Sequence, residues 1–317
     1  MKVFSDIKRG AEIIHKGNLV AFPTETVYGL GANAFDPLAV AKIFETKERP
    51  SFDPLIVHIC EISQLTMLYA GDDERVLQLA KRFWPGPLTL VLPKMKSVPG
   101  IVTSGLDTVA VRMPANQIAL KLIELSKTPL AAPSANKFGM ISPTDAAHVK
   151  KQFPQVFTID GGRTNVGIES TVITLKEDGF EILRPGFITA GDLEAVVPQS
   201  KQKPAETHLN APGLLKSHYS PRKPMYIADD PCIKLKEASK GGLISFGMPG
   251  EDCPYAKVEV LSKTRDLKEA AINLFNAMHT LDDSDVEYIV AESVPEEGIG
   301  IAIMNRLIKA AYPDKSK

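Results

Sequence analysis

Residues 19–32 read LVAFPTETVYGLGA. Leu19 to Phe22 is the apolar run of a buried strand, and Val27 to Ala32 resumes it, but Thr24, Glu25 and Thr26 stand between. Polar side chains in a core cost free energy unless they are hydrogen-bonded or face a cavity. The interruption is read as the point where the chain leaves a sheet to line a cavity, with Glu25 either pairing with a cation or facing solvent.

The flanks give the fold class. Upstream, Ser5 is placed to cap a helix whose apolar face is Ile7, Ala11 and Ile14, stopped by Gly17. Downstream, Asp36-Pro37 is a strong helix start, an acceptor side chain followed by Pro at the first helical position, and that helix runs to Lys47. Apolar patterning predicts strands at 55–59, 88–92, 108–112, 129–132, 171–175 and 180–184, and helices at 73–83, 115–126 and 145–152. The mixture predicts an α/β fold, a twisted mixed sheet with flanking helices.

From 198 to 224 the character changes. Prolines 198, 204, 212, 221 and 224 punctuate a stretch with little apolar periodicity, so it reads as an extended linker. Beyond it, strands at 225–228, 242–246, 257–261 and 287–291 alternate with helices at 231–239, 265–280 and 299–311. That alternation predicts a smaller Rossmann-like α/β domain. The expected division is a first domain over 1–200, a linker over 201–224 and a second domain over 225–317. The linker carries five Lys/Arg against one Glu, whereas residues 1–200 are balanced and 225–317 are acidic. Positive charge is thus concentrated between the domains.

Composition narrows the function. A net charge of −1 over 317 residues does not announce a nucleic-acid binder. Cys60, Cys232 and Cys253 are far apart and form no metal-ligating pair or disulfide framework. The amino-terminal stretch MKVFSDIKRGAEIIHKG lacks the apolar core of a signal peptide, and no apolar run approaches a membrane span. The cytoplasm is the expected location.

Several weak chemical signals accumulate. Gly29-Leu30-Gly31-Ala32-Asn33-Ala34 matches a dinucleotide fingerprint in form, but no acidic residue closes a second strand about 20 positions on. A P-loop is absent. Lys47-Glu48-Arg49-Pro50 places two cations on an irregular segment where they can face one anion; a solvated helix end is the commoner explanation. His58 sits within an apolar strand, and Arg112 and Arg184 at strand exits. Ala131-Ala132-Pro133-Ser134-Ala135-Asn136 is a run of small residues that a ligand could approach closely, and Glu169-Ser170 opens another strand. Each has a structural explanation as well. Together they suit a site that binds anions and a small polar ligand and works by positioning and electrostatics.

The ordered motifs FPTETVYGLGA, KERP, DPLIVH, VAVRMP, APSAN and GIESTV resemble the YrdC/Sua5 family. The linker APGLLKSHYSP with a following Rossmann-like domain is similar to the longer, two-domain Sua5 form. The resemblance implies condensation of L-threonine, bicarbonate or CO2 and ATP into an acyl-adenylate and pyrophosphate, with Mg²⁺ carried on the ATP phosphates and no metal ligand of the protein directly assigned. It implies a tRNA threonylcarbamoyl transferase as consumer of the product, modifying adenosine 37, and at most weak direct tRNA binding. It assigns Lys47 and Arg49 to the phosphates and to catalysis. Ser134, Asn136, Thr108, Ser142, Arg184 and Tyr219 fall to ATP. Thr26, His58, Arg112, Ala132 and Ser170 fall to threonine, Arg112 taking the carboxylate. Asp53 stands where the family often has Asn, on the ATP side, and a carboxylate there repels phosphate unless a cation intervenes. An RNA-binding protein without catalysis is the alternative. The Pro-stiffened, basic linker carrying Tyr219 is expected to act as a lid. Cleaving the chain after residue 200 should therefore weaken ATP retention or turnover in an equilibrium-binding and steady-state assay; unchanged kinetics would remove the lid.

Overall fold

The computed structural model describes residues 2–202, 218–230 and 238–312. Within them the chain builds α1 (Lys2–His15), β1 (Val20–Pro23), β2 (Tyr28–Asn33), α2 (Pro37–Lys47), β3 (Ile56–His58), α3 (Glu74–Phe83), β4 (Leu88–Pro93), β5 (Thr108–Arg112), α4 (Gln117–Ser126), β6 (Leu130–Ala131), α5 (Ala146–Gln152), β7 (Phe157–Thr158), β8 (Thr171–Lys176), β9 (Gly179–Arg184) and α6 (Ala190–Glu194). The second part adds β10 (Met225–Ala228), β11 (Gly241–Ser245), β12 (Lys257–Val260), α7 (Leu267–Asp282), β13 (Tyr288–Glu292) and α8 (Gly300–Ala311). The middle of the expected linker, 203–217, and most of the expected helix at 231–239 lie outside the described residues.

Local chemistry explains the elements. Asp36 caps α2 by accepting from the amides of Leu38 and Ala39, with Pro37 in its first turn. Ser5 is not the cap of α1. That helix begins at Lys2 and Ser5 lies inside it, because nothing in Lys2-Val3-Phe4 breaks a helix and serine is tolerated in one. Ile7, Ala11 and Ile14 are buried as their spacing predicts, packing with Leu122 and Ile123 of α4. Strand β7 and helix α6 escape the patterning, because a strand of 2 residues and a helix of 5 carry no readable period.

The larger sheet has mixed direction, in the order β7-β1-β2-β6-β3-β5-β4-β8-β9. Alternation sorts its faces. Val57, Leu90, Val109, Val111 and Ile173 enter the main core. Ile56, Val91, Ala110 and Val172 form a smaller apolar patch on the other face. On that face the register sets a transverse row. His58 pairs with Arg112, Thr89 pairs with Val172, and Val172 pairs with Arg184. Continuing the pairing of Leu90 with Val111 by one step puts Thr89 opposite Arg112. Polar groups from separate strands are thereby aligned on one floor.

The smaller sheet is parallel, in the order β10-β13-β11-β12, with α7 and α8 supplying its core. It packs directly on the first domain. Gly167 has φ +79, and a Cβ there would stand 2.4 Å from Ile272 Cα of α7, so the loop before β8 touches the α7 backbone. His279 Nε2 lies 3.1 Å from the Ser142 carbonyl, and its ring stacks on His148 of α5 at 3.8 Å. Lys151 pairs with Asp283 beside them.

Burial, with His148 adding to it, pushes His279 down to about 3, and burial also lowers His148. His279 is neutral in the folded state, whereas an unfolded histidine titrates near 6.5. The stability this contributes is present above that value and is lost as pH falls from 6.5 toward about 3. His279 is expected to remove at most about 1.4 kcal/mol per pH unit in that window. Thermal denaturation of the wild type and of His279→Gln should show it, the variant having the flatter pH dependence.

Candidate active site

The interrupted strand resolves into a hairpin turn joining β1 and β2. Thr24 closes it: its hydroxyl donates to the Val27 carbonyl at 2.6 Å and accepts from the amides of Thr26 and Val27. With that proton used, the 2.8 Å contact between the two threonine hydroxyls has Thr26 donating to Thr24. Thr26 Oγ1 in turn accepts from Arg112 Nη1 at 2.9 Å. Glu25 is buried, with Oε1 2.6 Å from Arg112 Nη2. It pairs with a cation, one of the two alternatives the sequence left open. Arg112 also donates to the Gly86 carbonyl. His58, beside Arg112 in register, is driven down to about 3 by burial first and by Arg112 second, so its ring is neutral.

The glycines have a packing role. Gly29 and Gly31 lie inside β2, not at a strand-to-helix turn, which removes the dinucleotide reading. A Cβ on Gly31 would stand 2.6 Å from the Phe22 ring. The close approach they allow is to Phe22 beneath, not to a ligand.

Lys47 and Arg49 are not a solvated helix end: they are 1% and 8% exposed. Lys47 Nζ donates to the carbonyls of Ser134, at 2.6 Å, and of Asn136, tying the end of α2 to the small-residue loop. That loop runs along β2, through Leu30 N to Pro133 O and Ala135 N to Tyr28 O. Asn136 donates to the carbonyls of Lys137 and Met140. Arg49 donates to the carbonyls of Asp53 and Pro54 and pairs with Asp53 Oδ1 at 2.8 Å. Burial lowers Lys47 well below the usual lysine range, with Arg49 adding to it, and raises Asp53 against the pull of Arg49.

On the other side, Ser170 and Thr89 share a 2.7 Å hydrogen bond. Arg184 donates to the Ser170 carbonyl and hydroxyl from 3.0 to 3.2 Å. Ser142 donates to Glu169 Oε1 at 2.5 Å. His218 and Tyr219 close the group from above. Tyr219 is fully buried against Phe275 of α7, and Ser220 N bonds the Gly139 carbonyl. The remaining space is about 50 Å³, lined by Thr26, Arg49, Arg112, Ser134, Ser170 and Tyr219 among others. A cavity of about 270 Å³ between α5 and α7 is roomier, but its cations are paired with their own carboxylates and the sequence-predicted site residues do not line it.

A family model described as "Telomere recombination", covering Sua5, YciO and YrdC, matches residues 12–186. The chain belongs to the Sua5/YciO/YrdC family. Residues 188–312 match a second model, described as "Threonylcarbamoyl-AMP synthase, C-terminal domain". A threonylcarbamoyl-AMP synthase of Pyrococcus abyssi is 47% identical, over 96% of this chain and 94% of that protein. Another, of Bacillus subtilis, is 42% identical over 96% and 92%. The crystal structure of P. abyssi Sua5 complexed with L-threonine superposes with a TM-score of 0.87 at 46% identity, covering 96% of this chain and 94% of that one.

Most residues that the Sua5 resemblance singles out converge. Thr26, Arg49, Arg112, Ser134, Ser170, Arg184 and Tyr219 line the cavity. Lys47, Asp53, Asn136 and Ser142 touch those that do. His58 is registered with Arg112, and the Ala132 amide bonds the Ile56 carbonyl. Thr108 stands apart, at the far end of β5 opposite Pro93, ~13 Å along the strand from Arg112. Sequence reasoning gave no role to Glu169 and overlooked Arg306, whose Nε reaches Glu169 Oε2 from α8 at 3.1 Å. A signal for it exists: Arg306 falls on the stripe formed by Ala302, Ile303, Leu307 and Ala310, where a cation must find a buried partner. Glu25→Ala, which strands Arg112 without its carboxylate, is expected to lower stability by about 3–5 kcal/mol in chemical denaturation; Glu25→Gln should lose less.

Proposed function

We propose that this chain is a threonylcarbamoyl-AMP synthase, condensing L-threonine, ATP and bicarbonate or CO2 into threonylcarbamoyl-adenylate and pyrophosphate. The observation that carries the reading is that the Lys47–Arg49 pair with its Ser134–Asn136 loop meets the Thr26–Arg112–Ser170 group around one cavity beneath Tyr219.

Arg112 takes the threonine carboxylate, its guanidinium oriented by Glu25 and Gly86. Thr26, His58, Ser170 and the backbone at Ala132 surround the rest of the amino acid. A neutral His58 leaves the charge balance to Arg112. The free amine forms a bond to the carbon of CO2 with its lone pair and sheds a proton. An oxygen of the carbamate then attacks the α-phosphorus, and the bond to the pyrophosphate oxygen breaks. Lys47, Arg49 and Arg184 offset the charge that gathers on the phosphates, and Ser134, Asn136, Ser142 and Tyr219 hold the nucleotide. Such positioned cations suffice without a covalent enzyme intermediate. Mg²⁺ arrives with ATP and supplies neutralisation of phosphate charge. Asp53 Oδ2, buried and without a hydrogen-bond partner among the described residues, fits as its ligand on the protein side.

The cavity of about 50 Å³ is smaller than the roughly 300–1,000 Å³ of small-molecule sites, so the His218–Ser220 segment must open for ATP to enter. The product is a mixed anhydride, an acyl donor for a tRNA threonylcarbamoyl transferase acting at adenosine 37. The reaction belongs in the cytoplasm, and no helix of the described residues is long and apolar enough to cross a membrane. A purely RNA-binding role finds no support in the cations named above, since all are buried and a phosphate backbone needs exposed ones.

With ATP, Mg²⁺, L-threonine and labelled bicarbonate, the wild type is expected to place label in an adenylate and release pyrophosphate only when threonine is present. Lys47→Ala or Arg49→Ala should lower that release by ~100-fold or more, the scale of removing a positioned charge donor, with the circular dichroism of the folded chain retained. Wild-type turnover in either variant would overturn the assignment of the phosphate site.

A further inference from the structure

Arg306 belongs to the second domain, yet its guanidinium lies in the first. The residue is 0% exposed. Nε donates to Glu169 Oε2 at 3.1 Å, and Nη1 donates to the carbonyls of Pro185 and, within α8, of Ala302. Its Cζ stands 5.7 Å from the centre of the Tyr219 ring. Each first-domain partner is one step from a residue of the site. Glu169 precedes Ser170 and accepts from Ser142 through its other oxygen. Pro185 follows Arg184, which itself holds Ser170 by its carbonyl and hydroxyl. One planar fork therefore grips the entry of β8 and the exit of β9 and backs the ring that closes the cavity. A domain contact has no need of such a group, since apolar residues of equal volume commonly stabilise as well as a buried ion pair.

We infer that Arg306 is a positioning residue of the synthase site, acting through Glu169 and Pro185 to hold Ser170, Arg184, Ser142 and Tyr219 in register. The second domain thereby contributes to substrate binding through these contacts, besides tethering the linker. Lysine keeps the charge of Arg306 but not its fork, and so cannot hold two partners in fixed directions at once.

The inference rests on the synthase reading, and wild-type turnover tests that reading separately. If the wild type releases no threonine-dependent pyrophosphate, the reading itself fails. With an active wild type, steady-state kinetics of Arg306→Met, Arg306→Lys, Glu169→Gln and the Arg306→Met/Glu169→Gln double variant test the inference. The KM for ATP, for threonine or for both is expected to rise about tenfold or more in Arg306→Met, with partial recovery in Arg306→Lys. The double variant should be no worse than the poorer single, because both cut the same connection. Unchanged KM values, with loss confined to kcat or to the folded fraction in thermal denaturation, would make Arg306 merely structural and overturn the inference. Additive single effects would overturn the route through Glu169. Should Arg306→Met fail to fold, Arg306→Lys and Glu169→Gln carry the same KM reading.

Discussion

Cations kept out of water dominate the arrangement of this molecule. Lys47, Arg49, Arg112, Arg184 and Arg306 are all buried, and an ion without compensation there costs several kcal/mol. Each is met by oxygens drawn from elsewhere in the chain. Lys47 takes the carbonyls of the Ser134–Asn136 loop, and Arg49 takes those of Asp53 and Pro54 with the Asp53 carboxylate. Glu25 and Gly86 serve Arg112, Ser170 serves Arg184, and Glu169 and Pro185 serve Arg306. These contacts decide where the loops run. The hairpin turn of residues 24–27 dips to bring Glu25 to Arg112, and the loop after β6 is drawn under the end of α2. A site for an anionic substrate is assembled from the need to satisfy its own charges before the substrate arrives.

The sheet supplies the rigid part. A single row of registered residues, His58, Arg112, Thr89, Val172 and Arg184, crosses from β3 to β9. Alternation puts the aliphatic residues of the main core on one face and these groups, with a smaller apolar patch, on the other. Pairing partners and side-chain direction thus follow from the same backbone geometry, and little is left to loop conformation except at the two ends of the row.

Much of this was readable from the chain. Asp36-Pro37 marks its helix unambiguously, and the strands with strict alternation, such as Thr108 to Arg112, lie where their pattern put them. The failures have physical causes. Ser5 can cap a helix but does not exclude one, and the residues before it join α1. The glycines of β2 imitate a phosphate loop because close packing on Phe22 and close approach to a phosphate need the same missing Cβ. The partnership of Glu25 with Arg112 and that of Glu169 with Arg306 join residues far apart in the chain. No local pattern encodes which acid meets which base; only the topology brings them together. Thr108 shows the converse: a residue that the family resemblance assigns to ATP lies at the end of its strand away from the cavity.

Tyr219 is held in place at two local costs. It has φ +64, a left-handed conformation that costs a residue with a side chain roughly 1–2 kcal/mol. Its buried hydroxyl has no hydrogen-bond partner among the described residues, a second cost. The shut arrangement is therefore under tension, held by ring packing and by the Ser220 bond to Gly139. A nucleotide that offered the hydroxyl an acceptor would remove part of that tension and so shift the population toward closure. Once the adenylate left, the tension would return. In the proposed reaction the same residue would then be biased to reopen, timing release by occupancy alone.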